Sequence, residues 1–206
     1  MAGYNLVLAL LVAVIFLLSF YHRTMFFRPG SIHQWRQADC LSIAKNYYEE
    51  GMNFFQPAIH YTGISGGKAV SEFPVLNYTG ALLWKTFGEH EFIYRLLEYV
   101  LFLVSVFVLY NTLLRRTRSF WLSFFAVSLL LTSPLLLYYS LNFLADVPAL
   151  SLAIISFCCI YNFSAGGAQR NFYFALFFGA LGTLMKASAV FPLGLVFLAG
   201  ITSLLP

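Results

Sequence analysis

Apolar residues occupy most of this chain in long unbroken runs, separated by short polar breaks and one long polar stretch. The runs predict helices at about Tyr4–Tyr21, Phe92–Leu114, Phe120–Tyr139, Pro148–Phe163 and Phe172–Met185, with a sixth starting near Val190. Crossing the hydrocarbon of a bilayer takes about 20 apolar residues in a helix. Spanning strands would alternate apolar and polar positions, and these runs do not. The expected fold is therefore all-α, a polytopic transmembrane bundle of about six spans. No basic residue precedes the first run and no small-residue cleavage site follows it, so a retained anchor is expected rather than a cleaved signal.

The long polar stretch, His22–Pro74, lies in a loop expected over residues 22–91. Within it, Ala38–Glu50 reads as an amphipathic helix, with Leu41, Ala44, Tyr47 and Tyr48 on one face and Gly51 as its stop. Residues 53–68 carry Pro57, Gly63, Gly66 and Gly67 and should be irregular. A second short helix is expected over Val75–Phe87, opened by Pro74 and closed by Gly88. It is too short to span, and Tyr78 and Trp84 suit a place along the membrane interface.

Composition removes the soluble alternative. The chain is 60% apolar and 10% charged, against about 25% charged in soluble domains. Seven of its eight acidic residues fall between Asp39 and Glu98. The net charge of +4 does not point to nucleic acid, because residues 22–98 balance seven Lys and Arg against seven acids. The surplus comes from Arg115, Arg116, Arg118, Arg170 and Lys186, less Asp146, and the arginines flank apolar runs as topology signals do. If Arg115–Arg118 is cytoplasmic, counting crossings puts residues 22–91 outside, Asn142–Asp146 outside, Arg170 inside and Lys186 outside. Asp39, Glu72, Asp146 and Lys186 then share the extracytoplasmic face.

The candidate chemistry sits on that face. Asp146, between Leu-Asn-Phe-Leu-Ala and Val-Pro-Ala-Leu, is a carboxylate at the membrane edge that needs a partner or a role, and it could also cap the fourth helix. Lys186 breaks two apolar runs and must snorkel or pair; binding a lipid phosphate is the functional reading. Asp39 lies in or near the first turn expected for the loop helix, where the dipole favours negative charge. Glu72 precedes Phe73-Pro74 and should be in extended chain. His33 and His60 are candidate metal ligands with Glu72 or Asp39, although their spacing matches no standard ligand pattern. Cys40 has no activating neighbours in sequence and reads as an inert thiol, and Cys158 and Cys159 read as small hydrophobes. Asn77-Tyr78-Thr79 has the form of a glycosylation acceptor but lies too near the membrane, and within an expected helix, to be credited. There is no phosphate loop, dinucleotide-binding glycine motif or hydrolase triad, which argues against a soluble nucleotide substrate.

Five motifs stand in order: Gln-Ala-Asp39 opening the loop helix, Glu72-Phe-Pro74 opening the second, Arg95 ahead of the next span, Asp146-Val-Pro148 starting the fourth, and Lys186 between the fifth and sixth. This order resembles the GT-C superfamily of membrane glycosyltransferases, in the branch of the protein O-mannosyltransferases and lipid A aminoarabinose transferases. The likeness runs from about Ser31 to Pro192. It implies transfer of a sugar from a polyprenyl-phosphate donor to a protein, lipid or glycan acceptor on the extracytoplasmic side. It also implies a multi-pass protein of the bacterial inner or plasma membrane, in contact with membrane lipids and not with nucleic acid. By the same resemblance Asp39, Glu72 and Asp146 are the catalytic acids, with Asp39 the base. Lys186, with Arg36 or Arg95, would hold the lipid phosphate. A divalent cation is an open possibility, with Glu72 and His60 as its ligands. Where aminoarabinose transferases have Glu-Lys-Pro-Pro, this chain has Phe73 in place of the Lys. Family members also carry further spans, so residues 1–206 are expected to form the N-terminal part of a longer module. The alternatives are a non-catalytic membrane subunit or inactive paralogue, and a lipid-carrier flippase. The last needs polar residues in mid-span and an internal repeat, and the sequence offers neither signal.

Overall fold

The computed structural model describes residues 2–61, 63, 67–68 and 72–204. It is all-helical, with no strand among the described residues beyond one isolated bridge between Ala58 and Lys68. Ten α-helices follow in order: α1 Ala2–Leu18, α2 Tyr21–Thr24, α3 Gln34–Glu49, α4 Val75–Phe87, α5 Glu91–Thr117, α6 Phe120–Thr132, α7 Pro134–Tyr139, α8 Asp146–Ser164, α9 Arg170–Met185 and α10 Phe191–Leu204. A 3₁₀ turn, Ala187–Val190, links the last two. Two helices, α5 and α8, are long and apolar enough to cross a membrane, and three shorter apolar helices accompany them. The expected irregular segment 53–68 is non-helical where it is described; Gly66 lies outside the described residues.

Local chemistry sets most boundaries. Helix α4 begins and ends as expected, with Pro74 before it and Gly88 leaving it at φ +88°. The run Phe120–Tyr139 divides at Ser133, which is extended (φ −62°, ψ 119°) because Pro134 follows. Proline's ring pushes the preceding residue out of the helical region. Helix α3 starts at Gln34, four residues before the expected Ala38, behind His33 in a left-handed conformation (φ +58°). Fully buried Gln37 donates to the carbonyls of Gly30 and Ile32 at 3.0 and 2.9 Å, and so binds this entry to the loop before it.

Helix α8 lies at the centre, packed on α5, α9 and α10. Its seam with α9 is built from small residues. Ser156 donates to the Ala175 carbonyl at 2.7 Å, and a Cβ on Gly179 would meet Ser156 Oγ at 2.9 Å. Small residues let two apolar helices approach until their backbones touch. Cys158, fully buried in α8, is packing material, as its apolar setting suggested. The loop helices α3 and α4 pack on each other, and α4 on α5. At that junction a Cβ on Gly80 would come within 2.6 Å of the buried Tyr94 ring. Trp84, expected at the interface, is instead 1% exposed, and its indole N–H donates to the His90 carbonyl at 2.8 Å. Asn77 is also buried inside α4, donating to the Cys40 carbonyl at 2.7 Å, so its side chain is structural.

Candidate active site

Four segments meet in an alternating chain of charge. Lys186 leaves α9 in extended conformation (φ −153°, ψ 121°), which turns its side chain out of the helix. Its ammonium donates to the carboxylate of Asp146, the first residue of α8, and lies 3.8 Å from Glu72 Oε1. Glu72, in the non-helical approach to Pro74, accepts from Arg36 Nη2 at 2.5 Å. Arg36 stands in the first turn of α3. The sequence Arg36–Glu72–Lys186–Asp146 is thus neutral overall, with side chains 25–36% exposed. Ion pairs this open to solvent contribute about 1 kcal/mol or less. Stability alone is a weak reason to gather four charges from four segments at one edge.

Asp39 stands one turn beyond Arg36, and residues three apart on a helix are neighbours. It is half-buried and makes no hydrogen bond or ion pair among the described residues. Because α3 starts at Gln34, Asp39 lies in the second turn rather than near the first, and the helix dipole has less hold on it. Asp146 does not cap α8: Ala145 is the cap residue, and the carboxylate turns to Lys186. Burial pushes the Cys40 thiol up to about 12, Glu98 and Glu72 add to this, and Arg36 opposes it. The thiol is protonated and inert at neutral pH.

Two sequence candidates lie outside the ionic chain. Arg95, in α5, spends both terminal nitrogens on backbone carbonyls, Nη1 on Thr24 at 2.6 Å and Nη2 on Arg28 at 3.2 Å. Its guanidinium sits 4.5 Å over the Phe143 ring. His60 Nδ1 is 2.6 Å from Ser42 Oγ and His60 Nε2 is 3.6 Å from Glu49, while Glu72 pairs elsewhere. The expected metal pair Glu72 and His60 therefore have different partners. Among the described residues no group of three or more His, Cys, Asp or Glu is placed to hold a metal ion. One acid escaped the sequence reading. Glu98 is fully buried in α5, with neither oxygen partnered among the described residues. The signal was available: a carboxylate inside an expected span, three residues after Arg95.

Residues 71–204 match the family model of the dolichyl-phosphate-mannose-protein mannosyltransferases. The match covers well over half of the chain. The protein belongs to this family. It is accordingly a membrane glycosyltransferase of mannosyltransferase type, in agreement with the GT-C resemblance. No curated protein and no solved structure matches the chain. Within this mannosyltransferase-family chain, Glu72, Arg95, Asp146 and Lys186 fall inside the matched region, whereas Arg36 and Asp39 precede it.

Proposed function

We propose that the protein transfers a sugar from a polyprenyl-phosphate donor to an acceptor hydroxyl on the extracytoplasmic face. The observation that carries this reading is the ionic chain of Arg36, Glu72, Lys186 and Asp146, with Asp39 beside it and unpaired among the described residues. Asp39 takes the acceptor proton as the acceptor oxygen forms its bond to the anomeric carbon. The bond from that carbon to the phosphate oxygen breaks, and the phosphate leaves with the electron pair toward Lys186 and Arg36. Fixed cations aimed at a departing anion stabilise the transition state more than the ground state. Glu72 and Asp146 hold those cations in place until the phosphate competes for them. Asp146 also borders an apolar groove of about 440 Å³ with Leu150, Phe157, Phe191 and Pro192, a suitable bed for a prenyl chain.

The sidedness rests on the ends of α8. Arg116 Nη2 reaches the Asn162 carbonyl at 3.2 Å, so the basic ends of α5 and α9 gather where α8 finishes. Asp146 begins the same helix, about 24 Å away along the axis at 1.5 Å per residue. With the arginines cytoplasmic, the ionic chain faces outward, and α1, α5, α6–α7, α8, α9 and α10 make the six crossings. The test is transfer of labelled sugar from a polyprenyl-phosphate donor in membranes carrying the protein. Asp39→Asn should reduce the rate at least a hundredfold, as expected for loss of a general base. Undiminished transfer would remove Asp39 from that role.

A further inference from the structure

A groove of about 500 Å³ runs along α5 toward its C-terminal end, away from the ionic chain. Val100, Leu103, Val104, Phe107 and Val108 line its length, and Arg115 and Asn162 line its far end. The apolar residues follow the spacing of one helix face, and Val100 to Arg115 spans about 22 Å at 1.5 Å per residue. Val100 and Val104 are 47% and 46% exposed, so this face is open among the described residues.

The far end is held in shape and carries charge that nothing offsets. Arg116 Nη2 donates to the carbonyl and to the side-chain oxygen of Asn162, both at 3.2 Å. Arg115, exposed in the last turn of α5, makes no hydrogen bond or ion pair among the described residues. No acid is placed to reach it. Glu98 lies about 26 Å back along α5, Asp146 is at the opposite end of α8, and the other six acids precede Glu98. Helix dipoles do not compensate either. The C-termini of α5 and α8 are followed within a few residues by the N-termini of α6 and α9, whose partial charges are opposite.

An apolar stripe that ends at an exposed, unpaired guanidinium complements a lipid with an anionic headgroup. Free phosphate would engage Arg115 and leave the stripe unused. Close packing by another helix uses small residues, as α8 and α9 do, and this stripe has none. One leaflet holds about 15 Å of hydrocarbon, so an acyl chain hanging from a phosphate at Arg115 lies along the stripe. We infer that this groove seats one anionic phospholipid, its phosphate on Arg115 and an acyl chain along Val100–Val108. The site is remote from the ionic chain and does not depend on the glycosyl-transfer reading.

Native mass spectrometry of the detergent-purified full chain tests this. The separate probes are dioleoyl phosphatidylglycerol, dioleoyl phosphatidylcholine with the same acyl chains, and glycerol 1-phosphate. The wild type should retain one phosphatidylglycerol about tenfold more tightly than phosphatidylcholine, and glycerol 1-phosphate should not displace it. Arg115→Gln should abolish the preference. Arg118→Gln removes the same charge from a residue that does not line the groove, and should keep it. Val104→Trp fills an open part of the groove and should weaken phosphatidylglycerol retention by a similar factor, with the melting temperature unchanged. Equal retention of the two lipids by the wild type, or displacement by glycerol 1-phosphate, would overturn the inference. So would equal loss in Arg115→Gln and Arg118→Gln, which would mean a diffuse charge effect, or full retention in Val104→Trp.

Discussion

At Lys186 one ammonium faces two carboxylates, Asp146 directly and Glu72 at 3.8 Å. If Lys186 stabilises the departing phosphate as proposed, Lys186→Ala should lower kcat about a hundredfold with little change in KM for the acceptor, because that contact would matter most in the transition state. Lys186→Arg should restore part of the rate; equal loss in both variants would indicate a structural role instead. Cys40 permits a pH prediction with a definite sign. Its ionisation is raised from 9.0 to about 12, with burial the main cause. A thiol held neutral by the fold adds stability that is complete below about pH 9 and is lost as pH rises toward 12. Peptide mapping after iodoacetamide at pH 8.5 should therefore find Cys40 unmodified in folded protein and modified once the protein is denatured. The ionic residues were legible because charge in an oily chain is costly and must be compensated. Glu98 was equally costly and fell inside the run expected as the second span, but it was counted among the clustered acids without being given a role of its own. The position of Arg95 in the chain could not disclose that its terminal nitrogens hold the loop at Thr24 and Arg28.

Among the elements, α4 was readable to the residue because proline and glycine act within their own turn. Helix α3 was not: its true start depends on Gln37 reaching back to two loop carbonyls, a contact that no propensity encodes. Trp84 shows a second limit. An apolar helix face reads the same whether it meets lipid headgroups or protein, and here Trp84 meets Tyr48 of α3 and the His90 carbonyl ahead of α5. The α4–α5 junction gives a test at this scale. Gly80→Leu puts a side chain where the Tyr94 ring already lies 2.6 Å from the Cβ position. Overpacking of this kind costs about 1–3 kcal/mol, measurable as a fall in melting temperature in detergent. A variant as stable as wild type would show that the ring can move aside.

For the whole molecule, the crossing count and the contact of Arg116 with Asn162 agree on which ends of the helices lie together. A membrane-impermeant maleimide should label Tyr61→Cys from outside intact cells, and should reach Arg118→Cys only after permeabilisation. The reverse pattern would place the ionic chain in the cytoplasm. The all-helical class was legible from run lengths alone. Which side chains met at the centre was not, because that is decided by the close approach of α8 and α9 through Ser156 and Gly179. That small-residue seam also bears on biogenesis. Synthesis runs from the N-terminus, so Arg36, Glu72 and Asp146 emerge before the cation that joins them. Asp146 waits 40 residues for Lys186. The packing of α8 against α9 is what brings Lys186 to Asp146 and Glu72. A nascent chain halted before Lys186 would hold an unneutralised carboxylate at the bilayer edge, where quality control could recognise it as unfinished.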